Sequence, residues 1–353
     1  MATTESERGN VTVLIEGKKF EAWPSIDIAL QMDSFSSVEF KAPFEAAHEE
    51  FRETFRPFKF KPLEVQIDGA RAFLGTMVTI NPDADAQQSV VDVGAYALPA
   101  VLNDCSAPAS ALPFEFKKLG LRAIADAVAK PFGIGVEFAS GVDEGTPFPK
   151  AKLDIDQELS DFLADLARQR NLVISNTPDG KLLCLQSVAP GRPVARLRDG
   201  EPPVTKIGAT FSPQDYYSEI TGFVPRKRKR KGSRHTERNP FLSAVLRPRS
   251  FRLDDTDKGD APSAVKAKLG RMFGNMASWQ ASVATWRDPA GNLWAPNTTI
   301  TIEAPDAMVY REYEFVIRSV KLHEDANETS AVLGLVMPGA FRGEIPASLP
   351  WDG

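Results

Sequence analysis

The residues most able to do chemistry form a run of six basic side chains: Arg226, Lys227, Arg228, Lys229, Arg230 and Lys231. Arg234 and Arg238 extend this run, so residues 226–238 carry eight basic side chains and a single Glu. A dense cationic segment of this kind can bind a phosphate backbone, dock an acidic protein surface or act as a nuclear targeting signal. It can also form a solvated loop, because neighbouring like charges repel each other.

The charge of the rest of the chain argues against a protein coated for nucleic-acid binding. The formal net charge is −5, although residues 226–238 contribute +7. The remainder therefore has 34 basic against 46 acidic residues, so the basicity is local. We predict a solvated loop, with a docking loop for an acidic partner and contact with nucleic acid as the alternatives.

The histidines and cysteines have no spacing that indicates a metal site or a catalytic centre. The three histidines are far apart in the sequence: His48, His235 and His323. Cys105 and Cys184 are too few for a disulfide framework and too distant for a C-x-x-C motif, so we expect buried free thiols. The acidic stretch 254–263 fails the EF-hand spacing, because Gly259 and Lys266 occupy the wrong positions. We therefore predict no cofactor, no metal, no small-molecule substrate and no enzymatic activity.

Two tryptophans flank a Pro-Ala-Gly-Asn turn. Trp286 and Trp294 would need basic neighbours to act as stacking platforms for nucleic acid, and only Arg287 is close in sequence. We therefore predict that both are structural anchors of a hairpin. The sequence also has no apolar segment of the roughly 18 residues that a membrane span requires, and no signal-peptide core at its start.

The elements that must position these residues are mostly strands, and the predicted fold class is α+β, mainly β. Residues 1–10 are predicted to be a disordered tail, and residues 11–111 a first small β-barrel. Within the barrel, "IDIAL" (26–30) alternates apolar and polar residues as a half-buried strand does. Asp68-Gly69 supplies the positive φ angles of a tight hairpin turn.

Residues 112–201 are predicted to form an α+β domain. Leu121, Ile124 and Val128 share one face of a predicted helix, which Pro131 ends. A second amphipathic helix follows, with Asp156 as its predicted N-cap.

The remaining segments are predicted to form a second β-barrel from residues 202–239 and 280–341. An inserted strand-helix segment (240–279) interrupts this barrel, and residues 342–353 form an extended C-terminal tail. Pro262 fits the first turn of the inserted helix. Five residues are predicted to form the apolar face of that helix: Val265, Leu269, Met272, Met276 and Trp279.

Seven stretches and their order carry a resemblance to a known family. They are WPSIDIAL (23–30), YALPAVLNDCSAP (96–108), IADAVAKPFGIGV (124–136), ELSDFLADLARQRNLVISNTPDGKLLCL (158–185), DYYSEITGF (215–223), ATWRDPAGNLWAPNTTITI (284–302) and AVLGLVMPGAF (331–341). From Val11 to Phe341 the chain resembles the tail baseplate hub proteins of Mu-like contractile-tailed phages. Those proteins are similar to T-even phage hubs and to the N-terminal part of type VI secretion spike proteins. Ala95 departs from the family, in which Arg is usual at that position.

The resemblance implies a homotrimer with two tube-like barrels per subunit. Six barrels would then form a pseudo-sixfold ring that joins a threefold central spike to a sixfold tail tube and nucleates tube assembly. The implied partners are the spike protein, the tail tube protein and baseplate wedge proteins, with a further contact to the tape-measure protein. The implied location is the tail baseplate of the virion, assembled in the host cytoplasm. Two other functions remain open: a nucleic-acid-binding module centred on residues 226–238, and a hub-like cell-wall hydrolase.

Overall fold

The structure is a computed structural model that describes residues 10–84, 89–109, 113–224, 232–253 and 261–352. Within these residues it contains 21 strands and five α-helices. The predicted mainly-β α+β class is confirmed. The predicted N-terminal tail lies outside the described residues except for Asn10.

The elements of the first half alternate between strands and short helices. The strands are β1 (Val11–Ile15), β2 (Lys18–Phe20), β3 (Ser25–Gln31), β4 (Ser37–Pro43), β5 (Pro62–Ile67), β6 (Ala70–Ala84), β7 (Ser89–Ala97), β8 (Glu115–Phe116), β9 (Val136–Phe138), β10 (Ala151–Lys152), β11 (Val173–Asn176) and β12 (Leu182–Leu185). The helices are α1 (Glu49–Thr54), α2 (Val101–Asp104), α3 (Leu121–Ala129) and α4 (Leu159–Arg168).

The second half is dominated by longer strands. These strands are β13 (Ala195–Arg198), β14 (Val204–Phe211), β15 (Glu219–Val224), β16 (Ser233–Arg238), β17 (Pro248–Arg252), β18 (Ala277–Val283), β19 (Thr299–Ala304), β20 (Val309–Asp325) and β21 (Thr329–Val336). One helix, α5 (Ala261–Met276), precedes β18 directly.

One sheet of 13 strands combines both predicted barrels. Its main path runs β14-β18-β21-β20-β3-β4-β7-β6-β5-β1-β2, and β19 with β13 joins at β20. The prediction of two separate barrels was wrong, because no sheet among the described residues closes on itself. The 17-residue strand β20 is the physical reason. It pairs with β19 and β21, and its segment Ser319–Asp325 also pairs with β3, which joins the two halves edge to edge.

Two hairpin turns have consecutive positive φ angles, and the predicted Asp68-Gly69 turn is one of them. Glu16 and Gly17 have φ angles of 50° and 77° between β1 and β2. Asp68 and Gly69 have φ angles of 53° and 78° between β5 and β6. Consecutive positive φ angles match the twist of antiparallel strands, which is why these short turns set the register of their hairpins.

The middle segment has a hydrophobic core of its own. Helices α3 and α4 contribute buried side chains to it, including the predicted face of Leu121, Ile124 and Val128. The predicted N-cap Asp156 was wrong, because α4 begins at Leu159 and Glu158 occupies the cap position without a side-chain hydrogen bond. A small sheet, β11-β12-β9, packs into the same core.

Helix α5 packs against a separate three-stranded sheet, β16-β15-β17. Strands β15 and β16 therefore pair outside the large sheet, unlike in the predicted second barrel. Gly222 permits the close approach of α5, since a Cβ there would lie 2.6 Å from a methyl group of Val265. Trp279 was predicted on the helix, but α5 ends at Met276 and Trp279 lies on β18.

The last residues pack against the large sheet. Leu349 is buried, and the Tyr313 hydroxyl donates to the Ser348 carbonyl at 2.8 Å. The Trp351 ring stacks on Trp279 with 6.2 Å between centroids. Among the described helices, none combines the length and apolarity needed to cross a membrane.

Candidate assembly surface

The large sheet has one apolar and one polar face across eight neighbouring strands, β14-β18-β21-β20-β3-β4-β7-β6. Side chains alternate between the two faces, because successive residues of a strand point in opposite directions. On β3, Ile26 and Ile28 enter the core while Asp27 faces the other side. We call the side of the sheet that carries Asp27, opposite the core, the polar face.

The strand register aligns the polar face into rows. One row runs across five strands: His323, Asp27, Glu39, Gly94 and Thr79. The adjacent row crosses the same five strands: Asp325, Ser25, Lys41, Asp92 and Asn81. These rows cross the β20–β3 pair, so the polar face is continuous between the two halves of the chain.

The charges on the polar face largely compensate one another. Lys321 Nζ lies 3.3 Å from an Asp27 carboxylate oxygen, and His323 Nδ1 lies 3.0 Å from the same oxygen. Lys41 and Asp92 form a further pair at 3.3 Å. The backbone N–H groups of Asn327 and Glu328 lower the pKa of Asp325. A face of small, polar and paired charged groups is suited to contact with water rather than to burial against a partner.

Strand β14 forms one border of the polar face and pairs only with β18 among the described residues. The N–H of Ser212, directly after β14, donates to the Met276 carbonyl at 2.7 Å. Backbone groups alternate in direction along an antiparallel strand. The N–H and C=O groups of Ile207 and Ala209 therefore point away from β18, towards the free edge.

The second part of β6, residues 78–84, forms the opposite border, because β5 pairs only with the first part of that strand, residues 70–76. The N–H of Ala97 on β7 donates to Ser36 at 2.9 Å, on the side of β4, so Asp92 and Gly94 turn their backbone groups towards β6. By the same alternation, the backbone groups of Ile80 and Pro82 on β6 point away from β7, towards the free edge. Pro82 fits this position, because a proline in a sheet is tolerated where its missing N–H faces the edge.

The two predicted hairpin anchors are fully buried. Trp286 Nε1–H lies within hydrogen-bond distance of two carbonyls, 3.0 Å from His323 and 2.9 Å from Ser330. Trp294 Nε1–H donates to the Thr285 carbonyl at 3.0 Å. The indole of Trp286 thus contacts the end of the β20–β21 hairpin. The indole of Trp294 instead bonds within its own loop, which spans residues 285–294.

The loop between these tryptophans contacts the first half of the chain. The buried Asp288 carboxylate accepts the N–H groups of Ala290 and Asn292, both at 2.9 Å. Arg287 forms an ion pair with Asp68 in the β5–β6 turn. This pair connects two loops that are far apart in the sequence and that the sequence reasoning did not associate.

The basic run Arg226–Lys231 lies outside the described residues, so its solvated-loop assignment stays a prediction. Its neighbours Arg234 and Arg238 lie on β16. Strand β16 belongs to the small sheet over α5 and not to the polar face. The basic run is therefore flanked by strands of a peripheral sheet.

A cavity of about 440 Å³ lies between α4, α5 and the three-stranded sheet β16-β15-β17. Five cationic side chains line it: Arg168, Arg249, Lys268, Arg271 and Arg318. Arg318 forms a two-pronged ion pair with Asp33, with both N···O distances 2.9 Å, and Lys268 lies over the Phe251 ring. No local motif could have revealed this cavity, because its residues come from distant parts of the sequence.

The predicted free thiols differ in environment. Cys184 is buried, and this burial raises its pKa to about 12, which keeps the thiol protonated at neutral pH. Cys105 is partly exposed. Within the part of the chain that the structure describes, no three His, Cys, Asp or Glu side chains form a metal-binding group.

A family match accompanies this geometry. Residues 99–186, about a quarter of the chain, match the family described as baseplate hub protein gp44-like, second domain. The matched segment contains α3, α4 and the small sheet β11-β12-β9. The resemblance to tail baseplate hub proteins is confirmed, and it indicates a structural role in a phage tail baseplate.

Two solved structures are similar over almost the whole chain. The 43 kDa tail protein of prophage MuSo2 from Shewanella oneidensis has a TM-score of 0.77 and 24% identity, covering 94% of this chain and 99% of that one. A tail protein from Neisseria meningitidis MC58 has a TM-score of 0.77 and 17% identity, covering 95% and 98%. Because both proteins are less than 25% identical to this chain, the similarity establishes its fold alone.

A more distant structure shares the fold. The E. coli c3393 protein, a type VI secretion component described as similar to T4 tail proteins gp27 and gp5, has a TM-score of 0.56 and 9% identity. The match covers 95% of this chain and 79% of that one. No match was found among curated protein sequences.

Proposed function

We propose that the protein is the structural hub of a contractile phage tail baseplate. In this proposal three copies form a pseudo-sixfold ring that joins the central spike to the tail tube. The observation that carries the proposal is the polar face. Four strands from the first half of the chain, β3, β4, β7 and β6, continue into four from the second half, β20, β21, β18 and β14.

The direction of the border strands supports ring closure. All seven pairings between the eight strands are antiparallel, so β14 and β6 run in opposite directions. Copies placed head to tail could therefore pair β14 of one with β6 of the next in an antiparallel manner. Cyclic closure consumes the free edges, which otherwise promote aggregation. Three copies would contribute six four-stranded units, which matches a pseudo-sixfold ring.

The proposed ring works by assembly and carries no enzymatic activity. Its polar face would line a hydrated axial channel, since the opposite face is filled by the core. One end would nucleate the tail tube and the other would hold the spike protein. Wedge proteins would contact the periphery, and the tape-measure protein the channel. The place of action would be the virion baseplate, after assembly in the host cytoplasm.

The mass in solution tests this proposal. Sedimentation equilibrium of the full chain alone should give three times the monomer mass of 38.6 kDa, or, after addition of the spike protein, a complex whose mass includes three copies of this chain. We expect a stable trimer because each joint between copies would bury two otherwise open strand edges. A protein that stays monomeric in both conditions contradicts the hub assignment.

The basic run provides a test of the nucleic-acid alternative. Replacing Arg226–Lys231 with alternating Gly and Ser is expected to leave the melting temperature and the trimer unchanged, because the run joins two strands of a peripheral sheet. Circular dichroism and sedimentation measure these two properties. Tight, steeply salt-dependent DNA binding that the replacement abolishes would support the nucleic-acid-binding function instead.

A further inference from the structure

Two phenylalanines in the loop between α1 and β5 are strongly exposed. The Phe58 side chain is 89% exposed and Phe60 is 60% exposed. Isolated apolar residues on a surface are ordinary, but here two large rings on one short loop line the same shallow depression. We call Phe58 and Phe60 the aromatic loop.

The backbone of the aromatic loop holds both rings in place. Phe58 has a φ of 60° and Phe60 a φ of 49°, in the left-handed region that bulky residues rarely adopt. Both ends of the loop are fixed, since Phe55 is buried and the Lys61 carbonyl accepts the Met77 N–H at 2.8 Å. Such strain is typical of functional positions, so the exposure of these rings calls for a partner.

The aromatic loop adjoins the part of β6 that β5 leaves unpaired, residues 78–84. A shallow depression is lined by the loop together with Met77, Val78 and Ile80 of that strand. Ile80 lies opposite the buried Val93, so this patch is on the core side of the sheet and not on the polar face.

The free edge of β14 carries a second apolar patch on the same side. Phe211 is 40% exposed, lies opposite the buried Ala277 and packs edge-on against Trp279 and Trp351, at 5.8 and 5.4 Å. Met308 and Tyr310 are also exposed and lie near the end of the chain, where the Tyr310 N–H donates to the Pro350 carbonyl.

We propose that the aromatic loop of one copy packs onto Phe211 and its neighbours on the next copy. This inference rests on the proposed ring. An antiparallel joint that pairs Ile80 with Ala209 places Val78 opposite Phe211, and both patches then lie on the same side of the joined sheet. The partner is a second copy of this chain, because the two patches flank edges that only a head-to-tail arrangement brings together.

The charges beside the two patches are complementary. Lys59 lies between the two phenylalanines and makes no ion pair among the described residues. On the Phe211 side, Asp352 follows Trp351, whose ring packs against Phe211, and Asp306 lies two residues before the exposed Met308; Asp352 and the cation Arg311 both lie near Tyr313. A positive loop therefore faces a patch of net negative charge, which favours this orientation of the copies.

The test is the double substitution Phe58→Ser and Phe60→Ser in the full chain. It should weaken self-association at least about tenfold, because large aromatic rings at the centre of an interface supply much of its affinity. The melting temperature of the monomer should not fall, since neither ring belongs to the core. Phe58→Gly, which relieves the left-handed strain, should raise the monomer's melting temperature and still weaken association.

Ile155→Ser is the matched control, since Ile155 is 78% exposed and lies between β10 and α4, in the middle segment that has its own core. It should leave association unchanged. Phe211→Ser should weaken association, and adding it to the double variant should cause little further loss, as expected for groups that touch. If the wild type is a trimer and the double variant associates equally well, this inference is wrong while the hub assignment stands. A wild type that is monomeric even with the spike overturns both.

Discussion

The Ala209→Pro variant is expected to remain folded and to lose the trimer. The Ala209 N–H points away from β18 towards the free edge of β14, so proline removes no hydrogen bond of the isolated chain. At a β14–β6 joint the same change removes a donor and places a ring in the path of the neighbouring strand. The lost ladder hydrogen bond leaves an acceptor of the neighbouring strand unpaired, which costs about 1–3 kcal/mol and corresponds to a joint roughly tenfold to hundredfold weaker.

Sedimentation equilibrium measures this loss, and circular dichroism confirms that the variant is folded. Thr210→Pro is the matched contrast one residue further along. The Thr210 N–H points towards β18, so proline there breaks a hydrogen bond of the isolated chain and should lower its melting temperature. An Ala209→Pro protein that assembles as tightly as the wild type would exclude β14 as the joint.

The sequence predicts the strands of this fold better than it predicts their pairing. The alternation in β3, with Ile26 and Ile28 turned inward and Asp27 outward, already defines the core side and the polar face. Pairing depends on contacts between distant residues, which local patterns do not encode. The β3–β20 pair joins residues almost 300 positions apart, and for this reason two barrels were predicted where one open sheet exists.

The end of α5 shows how a periodic pattern can mislead. Met272, Met276 and Trp279 follow helical spacing, so the sequence extends the helix through Trp279. In the structure Ala277 pairs with Phe211 and begins β18. Pairing with β14 and packing against Phe315 bury Trp279 on a strand, and this tertiary environment overrides the local helical preference.

The proposed interface residues have no sequence signal of their own. Phe58 and Phe60 alternate with Lys59 and Lys61 in a way that suggests a half-buried strand, and residues of this kind rarely adopt positive φ. The outward direction of the Ala209 backbone groups is likewise a consequence of register. Both features become visible only once the sheet is assembled.

Trp286→Ala is expected to cause the largest loss of stability among single substitutions of the predicted anchors. Trp286 is fully buried, and its Nε1–H is the donor that lies beside the His323 and Ser330 carbonyls. Truncation leaves a cavity the size of an indole and removes the donor from those carbonyls. Substitutions of this kind cost about 3–5 kcal/mol. Chemical denaturation followed by far-ultraviolet circular dichroism should show the transition midpoint moving to lower denaturant.

Two further variants separate the contributions of Trp286. Trp286→Phe keeps most of the apolar volume but removes the N–H, so its loss of stability should be smaller, about 1–3 kcal/mol. Trp23→Ala is the matched control, because Trp23 packs at the border of the same core and is only partly buried. It should cost less than Trp286→Ala. If Trp286→Ala unfolds at the wild-type denaturant concentration, the indole does not anchor the β20–β21 hairpin, and the Arg287–Asp68 pair becomes the better explanation for how this loop is held.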